Sequence, residues 1–269
     1  MELFNQRFVH YALVAGLMAG GLCAYLGVYM ILRRIVLLGI ALSEVSALGV
    51  AAGLMIGVDP SAASLVVTTA AIIFYWFLFR SRTITQESVI GCTYVLAAAL
   101  AVILVAKNPF VESRGLDLVS GNLLYAGPAD IAMLGAVGAV VVATHFALRR
   151  NLLFTSFDGE TARAFGINAD AYDFVIYLTI GAVIATAMKV TGMLFAFGSL
   201  VVPPLTGLVV LRRMRFIPLL AVAVSCLSTV SGIIVSIVYD LPTAPAAMAV
   251  ACVILAIAAL ASALVRARR

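Results

Sequence analysis

The stretch VLLGIALSEVSALGV, residues 36–50, carries a glutamate, Glu44, in the middle of an apolar run that continues to Gly57. A segment of this kind has the length to cross a hydrocarbon core of ~30 Å, which takes about 17–25 helical residues. Glu44 is the only acidic residue deep inside any long apolar segment of the chain. A carboxyl group at that depth costs several kcal/mol of desolvation unless it is paired, protonated or facing a watery cavity. Glu44 is therefore a functional candidate, and the segment around it places the chain in a membrane.

The rest of the sequence agrees. Hydrophobic residues make up 64% of the 269 and charged residues 11%, with a mean hydropathy of +1.18. Soluble domains carry about a quarter charged residues, so a water-soluble globule is excluded. Apolar stretches at 9–32, 36–57, 61–80, 88–106, 129–148, 173–190, 193–211, 216–238 and 244–265 predict an all-α polytopic protein of eight or nine transmembrane helices. They form a single membrane domain over 1–269. The count turns on 189–192, where only a few residues interrupt the apolar run. The first span is too long for a cleavable signal peptide and is followed by Arg33 and Arg34 as a stop.

Charge orients the chain. With the N-terminus outside and nine crossings, thirteen of the 17 basic residues fall on the inner side, as the positive-inside rule requires. The net charge of +5 follows from this topology, so no nucleic-acid partner is called for. Cys23, Cys92, Cys226 and Cys252 lie in or beside apolar spans without CxxC spacing and read as packing residues. His10 and His145 are the only histidines, which excludes a His-rich metal site.

Two connections are long. The outer one, 107–128, is punctuated by Gly and Pro and is amphipathic, suiting an interfacial or partly inserted position. The inner one, 149–172, contains FDGETARAFGI, residues 157–167. Asp158 suits an N-cap and Glu160 a first helical turn. Gly166 followed by Ile167 suits a Schellman-type stop. The resulting helix has about two turns, ~10 Å. One so short is unstable in water by itself and must dock on something.

Several spans carry packing signals. Gly49, Gly53 and Gly57 form overlapping GxxxG patterns, and Gly16 with Gly20 forms another. Pro203 and Pro204 are expected to break or kink the seventh span, where Pro203 is a candidate for the path or a gate. Asp240, in YDLPT at 239–243, is either a turn former or part of the outer mouth. Tyr75 and Trp76 read as an interfacial belt.

Taken in order, LGVYMILRR (26–34), ESVIG (87–91), FDGETARAFGI (157–167), TGMLFAFGSLVVP (191–203) and DLPT (240–243) resemble the permease subunits of ATP-binding-cassette importers for divalent metals of the zinc, manganese and iron class. The similarity runs over essentially the whole chain. The 157–167 stretch is its most specific part, similar to the family's FDPE-x-A-x-x-x-G-I coupling motif. The resemblance implies a homodimeric membrane core in the bacterial cytoplasmic (inner) membrane, N-terminus outside and C-terminus inside. It also implies two cytoplasmic ATPase subunits and an extracytoplasmic substrate-binding protein. The coupling segment, about 151–168, would dock on the ATPase through Phe157, Asp158, Gly159, Glu160, Ala162, Arg163, Ala164 and Gly166. ATP would be bound by the partner subunit, and this chain would bind no cofactor of its own.

The chain departs from the family pattern in the second span. Members resemble LGDALSHA there, with Asp and His four residues apart and on one helix face, so that both reach one cation. Here LGIALSEV (38–45) puts Ile40 at the Asp position and Glu44 at the His position. Three readings stand. Glu44 is a path ligand facing its copy across a dimer, favouring harder cations such as Mn²⁺ or Fe²⁺. Alternatively, the scaffold carries a non-metal or chelated solute and Glu44 is a polar or proton-linked contact. Or Glu44 is structural, bonded through hydroxyls such as Ser43, Ser46, Thr68 or Thr69; Ser43 and Ser46 are also candidate path residues.

A rival from another class is an ion-coupled secondary carrier with Glu44 as the coupling acid. No Walker A lysine motif is present, so this chain does not itself hydrolyse ATP, and no Ser/His, paired-Asp or HExxH set points to an intramembrane enzyme.

Overall fold

The computed structural model describes residues 7–79, 85–107, 126–211 and 213–267. Ten α-helices follow one another: α1 Arg7–Leu32, α2 Val36–Ile56, α3 Pro60–Leu78, α4 Gln86–Lys107, α5 Pro128–Phe157, α6 Gly159–Ala164, α7 Ala169–Thr191, α8 Met193–Val210, α9 Ile217–Tyr239 and α10 Thr243–Ala267. A 3₁₀ turn, Met214–Phe216, leads into α9. All but α6 are long and apolar enough to cross a membrane, so the described residues hold nine candidate spans.

The boundary that left the helix count open is real. Gly192 stands at φ +79°, which an L side chain adopts only with strain, and it separates α7 from α8. Other limits are also local. Asp59 accepts a 2.9 Å bond from the Ala62 N–H ahead of α3, with Pro60 as the first helical residue. Asn168 caps α7 through Ala171 N–H at 3.2 Å.

Helices α1, α2 and α7 are the most enclosed, whereas α4 and α10 lie at the periphery. One group packs α2 on α3 and α4; another packs α8, α9 and α10 together with α1. Helix α7 bridges to α3 and α5, and α5 lies along α1 and α7. The core between the groups contains Leu26, Met30, Leu38, Leu42, Ile72, Ile176, Ile180, Phe195 and Leu200.

Close backbone approach joins the groups. A Cβ on Gly49 would stand 2.6 Å from Ser64 Cα, and one on Gly53 would stand 2.8 Å from Ala63 Cβ, so both serve the α2–α3 contact. Gly57 departs from this expectation. It sits at φ +73° as the C-cap of α2 with open space around it, so it ends the helix rather than packs it.

Pro203 and Pro204 do not break their helix: α8 runs through both to Val210. Pro204 has no N–H to offer the carbonyl of Leu200 four residues back. Gly27 of α1 lies directly against that oxygen, which a Cβ at Gly27 would overlap. Tyr75 also differs from its expected role. It is fully buried, stacked on Phe79 at 5.4 Å, because the phase of α3 turns it into the core. Trp76 is partly exposed and packs on Phe174, with ring centroids 5.0 Å apart. The expected interfacial segment 107–128 lies largely outside the described residues.

The 149–172 connection is mostly helical. Residues 151–157 continue α5, so the short helix proper is the six residues of α6, standing on a stem that is the end of α5.

Candidate functional site

Two places hold the candidate residues: one face of α2, and the end of the bundle that carries α6.

On α2, the buried side includes Leu38, Ala41, Leu42, Val45, Ser46, Gly49 and Gly53. The other side leaves Leu37, Ile40, Glu44, Leu48 and Met55 at least partly exposed, a stripe at helical spacing. Next to this stripe, the buried Gly39 faces α8: Phe197 lies 3.6 Å from the position of a Cβ on it. Leu194, Val201 and Leu205 share the α8 face of Phe197 and are likewise uncovered.

Glu44 is half-buried on this open face and makes no hydrogen bond or ion pair among the described residues. The hydroxyls nearest in sequence are engaged elsewhere. Ser43 donates to the Gly39 carbonyl at 2.9 Å, and Ser46 pairs with Ser64 at 2.8 Å. Thr68 Oγ1 is buried without a partner and does not reach Glu44. Among the described residues, then, no hydroxyl is bonded to Glu44. No group of three or more His, Cys, Asp or Glu side chains converges among the described residues.

The remaining path candidates are placed as follows. Ser43 and Ser46 face the protein interior. Pro203 is buried in α8. Asp240 is exposed in a left-handed C-cap at φ +52° that ends α9, with its N–H bonded to the Ser236 carbonyl, so its backbone forms the turn.

At the α6 end, the local chemistry follows the sequence closely. Asp158 accepts from Thr161 N–H at 2.9 Å and from the Thr161 hydroxyl. The Thr161 hydroxyl, and then its N–H, hold the Asp158 carboxyl below the usual carboxylate range. A depressed value means the cap is complete at neutral pH and weakens only as pH falls through that value. The other end is a full Schellman motif: Gly166, at φ +78°, donates to Arg163 O at 3.0 Å and Ile167 donates to Ala162 O at 3.0 Å. Ala162 is buried, whereas Phe157, Glu160, Arg163, Ala164, Phe165 and Gly166 are exposed. Gly159 is half-exposed. Two uncovered phenylalanines, Phe157 and Phe165, flank a helix whose main contacts among the described residues are with α5 and α7.

Beneath α6 is a polar cluster that sequence reading did not find. Arg33, just past α1, forms an ion pair with Asp173 of α7. Its Nε donates to Ser156 Oγ at 3.0 Å and its Nη2 to Thr155 Oγ1 at 2.9 Å. Both hydroxyls donate back to their own helix, Thr155 to Asn151 O at 2.9 Å and Ser156 to Leu152 O at 2.5 Å, which leaves lone pairs for the guanidinium. In sequence Arg33 counts only as one more inner positive charge, and the partners lie more than 120 residues away. No spacing rule reaches that far.

His145 is buried between Tyr25 and Tyr29, with ring centroids at 5.4 and 5.1 Å. Thr179 already gives its hydroxyl proton to Ile176 O, so His145 Nε2 donates to Thr179 Oγ1 at 3.1 Å. On the opposite side of the bundle, Lys189 pairs with Asp130 at 3.0 Å, tying the end of α7 to the start of α5.

The model of the ABC 3 transport family matches residues 5–262. The chain is 25% identical over 260 residues to the manganese transport system membrane protein MntC of Halalkalibacterium halodurans, covering 96% of this chain and 88% of that one. It is 27% identical over 234 residues to the high-affinity zinc uptake system membrane protein ZnuB of Haemophilus influenzae, covering 87% and 90%. The solved structure of PsaBC from Streptococcus pneumoniae in complex with Fab has the same fold. Its TM-score is 0.85 at 23% identity, over 95% of this chain and 92% of that chain.

Proposed function

The chain belongs to the ABC 3 transport family, and on that premise we propose that two copies of it form the translocation path of an ATP-driven importer for a divalent metal ion. Membership makes it a transporter component rather than an enzyme, and, with the nine apolar helices among its described residues, an integral protein of the inner membrane. Relatives carry manganese or zinc in their names, and this supports a metal as cargo.

The observation that carries the reading is the unpaired Glu44 carboxylate on the uncovered stripe of α2. A charge left open at that depth calls for a partner. A second copy of the chain supplies one carboxylate facing another, with a cation between them. Such an oxygen site suits Mn²⁺ or Fe²⁺ better than an ion that prefers imidazole.

The chain acts as one membrane domain over 1–269, N-terminus outside. Its 151–168 segment, the α5 stem with α6, is the part that docks on a cytoplasmic ATPase subunit. ATP binds to that subunit, and an external binding protein delivers the ion. ATPase closure then favours one of two dimer arrangements over the other.

Reconstitution tests the function. The purified chain is expected to bring down an ATPase subunit, and uptake of Mn²⁺ into vesicles should stop when that subunit can no longer hydrolyse ATP. Uptake that continues without the ATPase would replace this reading with an ion-coupled carrier.

Docking through α6 has its own test. E160K reverses a charge on the exposed face. G166V forces a β-branched residue into the left-handed region, a cost of about 1–2 kcal/mol. Since a Cβ at Gly166 meets nothing within 4 Å, that cost falls on the helix stop alone. Both variants should weaken co-purification of the ATPase while leaving the spans folded; unchanged co-purification would move the docking surface elsewhere.

A further inference from the structure

Among the described residues, the main contacts of helix α6 with the bundle are to α5 and α7, so displacement imposed on it passes chiefly through those two helices. Its exit points are specific. Arg163 of α6 grips Asp170 of α7 at 2.6 Å. Three residues along, on the same face of α7, Asp173 grips Arg33. The stem of α6 reaches the same guanidinium through Thr155 and Ser156. Arg33 therefore receives both routes out of α6.

Arg33 stands at the start of the tight turn into α2. Its N–H bonds to Tyr29 O at 3.1 Å, Arg34 follows in a left-handed conformation at φ +59°, and Ile35 bonds back to Met30 O at 3.1 Å. No side chain caps the α2 N-terminus. Helix α5 has no appreciable contact with α2. The turn is thus the place where the α6 stem meets the helix that bears Glu44, and Glu44 lies about two turns into that helix. An open cleft of about 270 Å³, lined by Arg33, Ile35, Gln86, Thr155, Asp173 and Tyr177, borders the turn. The turn therefore has open space on one side into which it can shift.

We propose that Arg33 is a positioning residue that transmits displacement of α6 to α2, with its two hydroxyl bonds to the stem and its ion pair to α7 locking α5, α7 and the α1–α2 turn into one moving unit. This rests on the importer reading for the origin of the displacement, but not for the existence of the linked unit. A planar guanidinium presents its donors on three separate nitrogens, and Asp173, Ser156 and Thr155 each meet a different one; the single nitrogen of an ammonium cannot stand in all three places. R33K is therefore the informative substitution, because it keeps the charge opposite Asp173 and loses the fork. T155V combined with S156A removes the stem acceptors and leaves the ion pair intact.

The test uses the full chain with its ATPase subunits in lipid vesicles, with Mn²⁺ as the probe. R33K and T155V/S156A should assemble normally and hydrolyse ATP within about twofold of the parent, while Mn²⁺ moved per ATP falls about tenfold. A purely structural role would lower assembly and both rates together. An unchanged ratio of transport to hydrolysis in both variants overturns the proposal.

Hydrogen exchange on the same chain in lipid provides a reading that does not depend on cargo. In R33K, exchange at 35–40 and at 155–164 should rise together; a rise confined to one of them also overturns the proposal. If the parent complex moves no Mn²⁺, the importer reading falls, and joint or separate loosening still decides whether Arg33 links the two segments.

Discussion

E44Q is expected to lower Mn²⁺ uptake by about 10- to 100-fold, the loss that follows even when a residue supporting a metal ligand is removed. The amide keeps the size of the side chain and removes its charge, and Glu44 has no hydrogen bond or ion pair among the described residues that the change would break. Expression, dimer formation and ATPase association should therefore stay at parental levels. Uptake by vesicles, corrected for the amount of assembled complex, measures the effect. Parental uptake in E44Q would remove Glu44 from the path. Loss of assembly with normal uptake by the surviving complex would instead make it structural. The companion variant E44H supplies an imidazole, which suits Zn²⁺, and should move the preference between Mn²⁺ and Zn²⁺ towards zinc.

The second large effect is on folding. G27V should destabilise the chain by about 3 kcal/mol or more, the upper range for overfilling a packed interior. A Cβ there overlaps the Leu200 carbonyl and comes within 2.7 Å of the Pro204 ring. The obstacle is backbone in a helix already holding two prolines, so rotation of a flexible side chain does not relieve it. Helices α1 and α8 must separate instead, and that contact is one of the most extensive in the bundle. With total stabilities of about 5–15 kcal/mol, most of the G27V chain should be lost on expression, and any that is purified should melt well below the parent. An unshifted melting temperature would show that α1 does not approach α8 as described.

Much of the short-helix region was legible because its determinants are neighbours. Asp158 meets Thr161 three residues away, and Gly166 and Ile167 close the helix on Arg163 and Ala162. The position of Glu44 in a membrane helix was legible for the same reason. What Glu44 faces was not. An amphipathic helix announces its buried side, but α2 is apolar all round apart from Glu44 and two serines, so its sequence does not say which way it is turned. The same lack of phase put Tyr75 in an interfacial belt rather than the core, and counted Gly57 with Gly49 and Gly53. The double proline misled differently: a proline disrupts an isolated helix, whereas here Gly27 packs against the carbonyl that Pro204 leaves without a donor.

By itself, the sequence determined that the chain spans a membrane, roughly where its spans lie, and that a capped short helix follows the fifth of them. Those outcomes depend on transfer of each segment into lipid and on bonds between residues a few positions apart. Only the tertiary structure decided that Glu44 lies on an uncovered stripe and that Arg33 gathers Thr155, Ser156 and Asp173. These depend on how each helix is rotated and which neighbours it meets. In an apolar helix that rotation is selected by close packing at positions such as Gly27, Gly49 and Gly53, where the fit is set by residues far away in the chain.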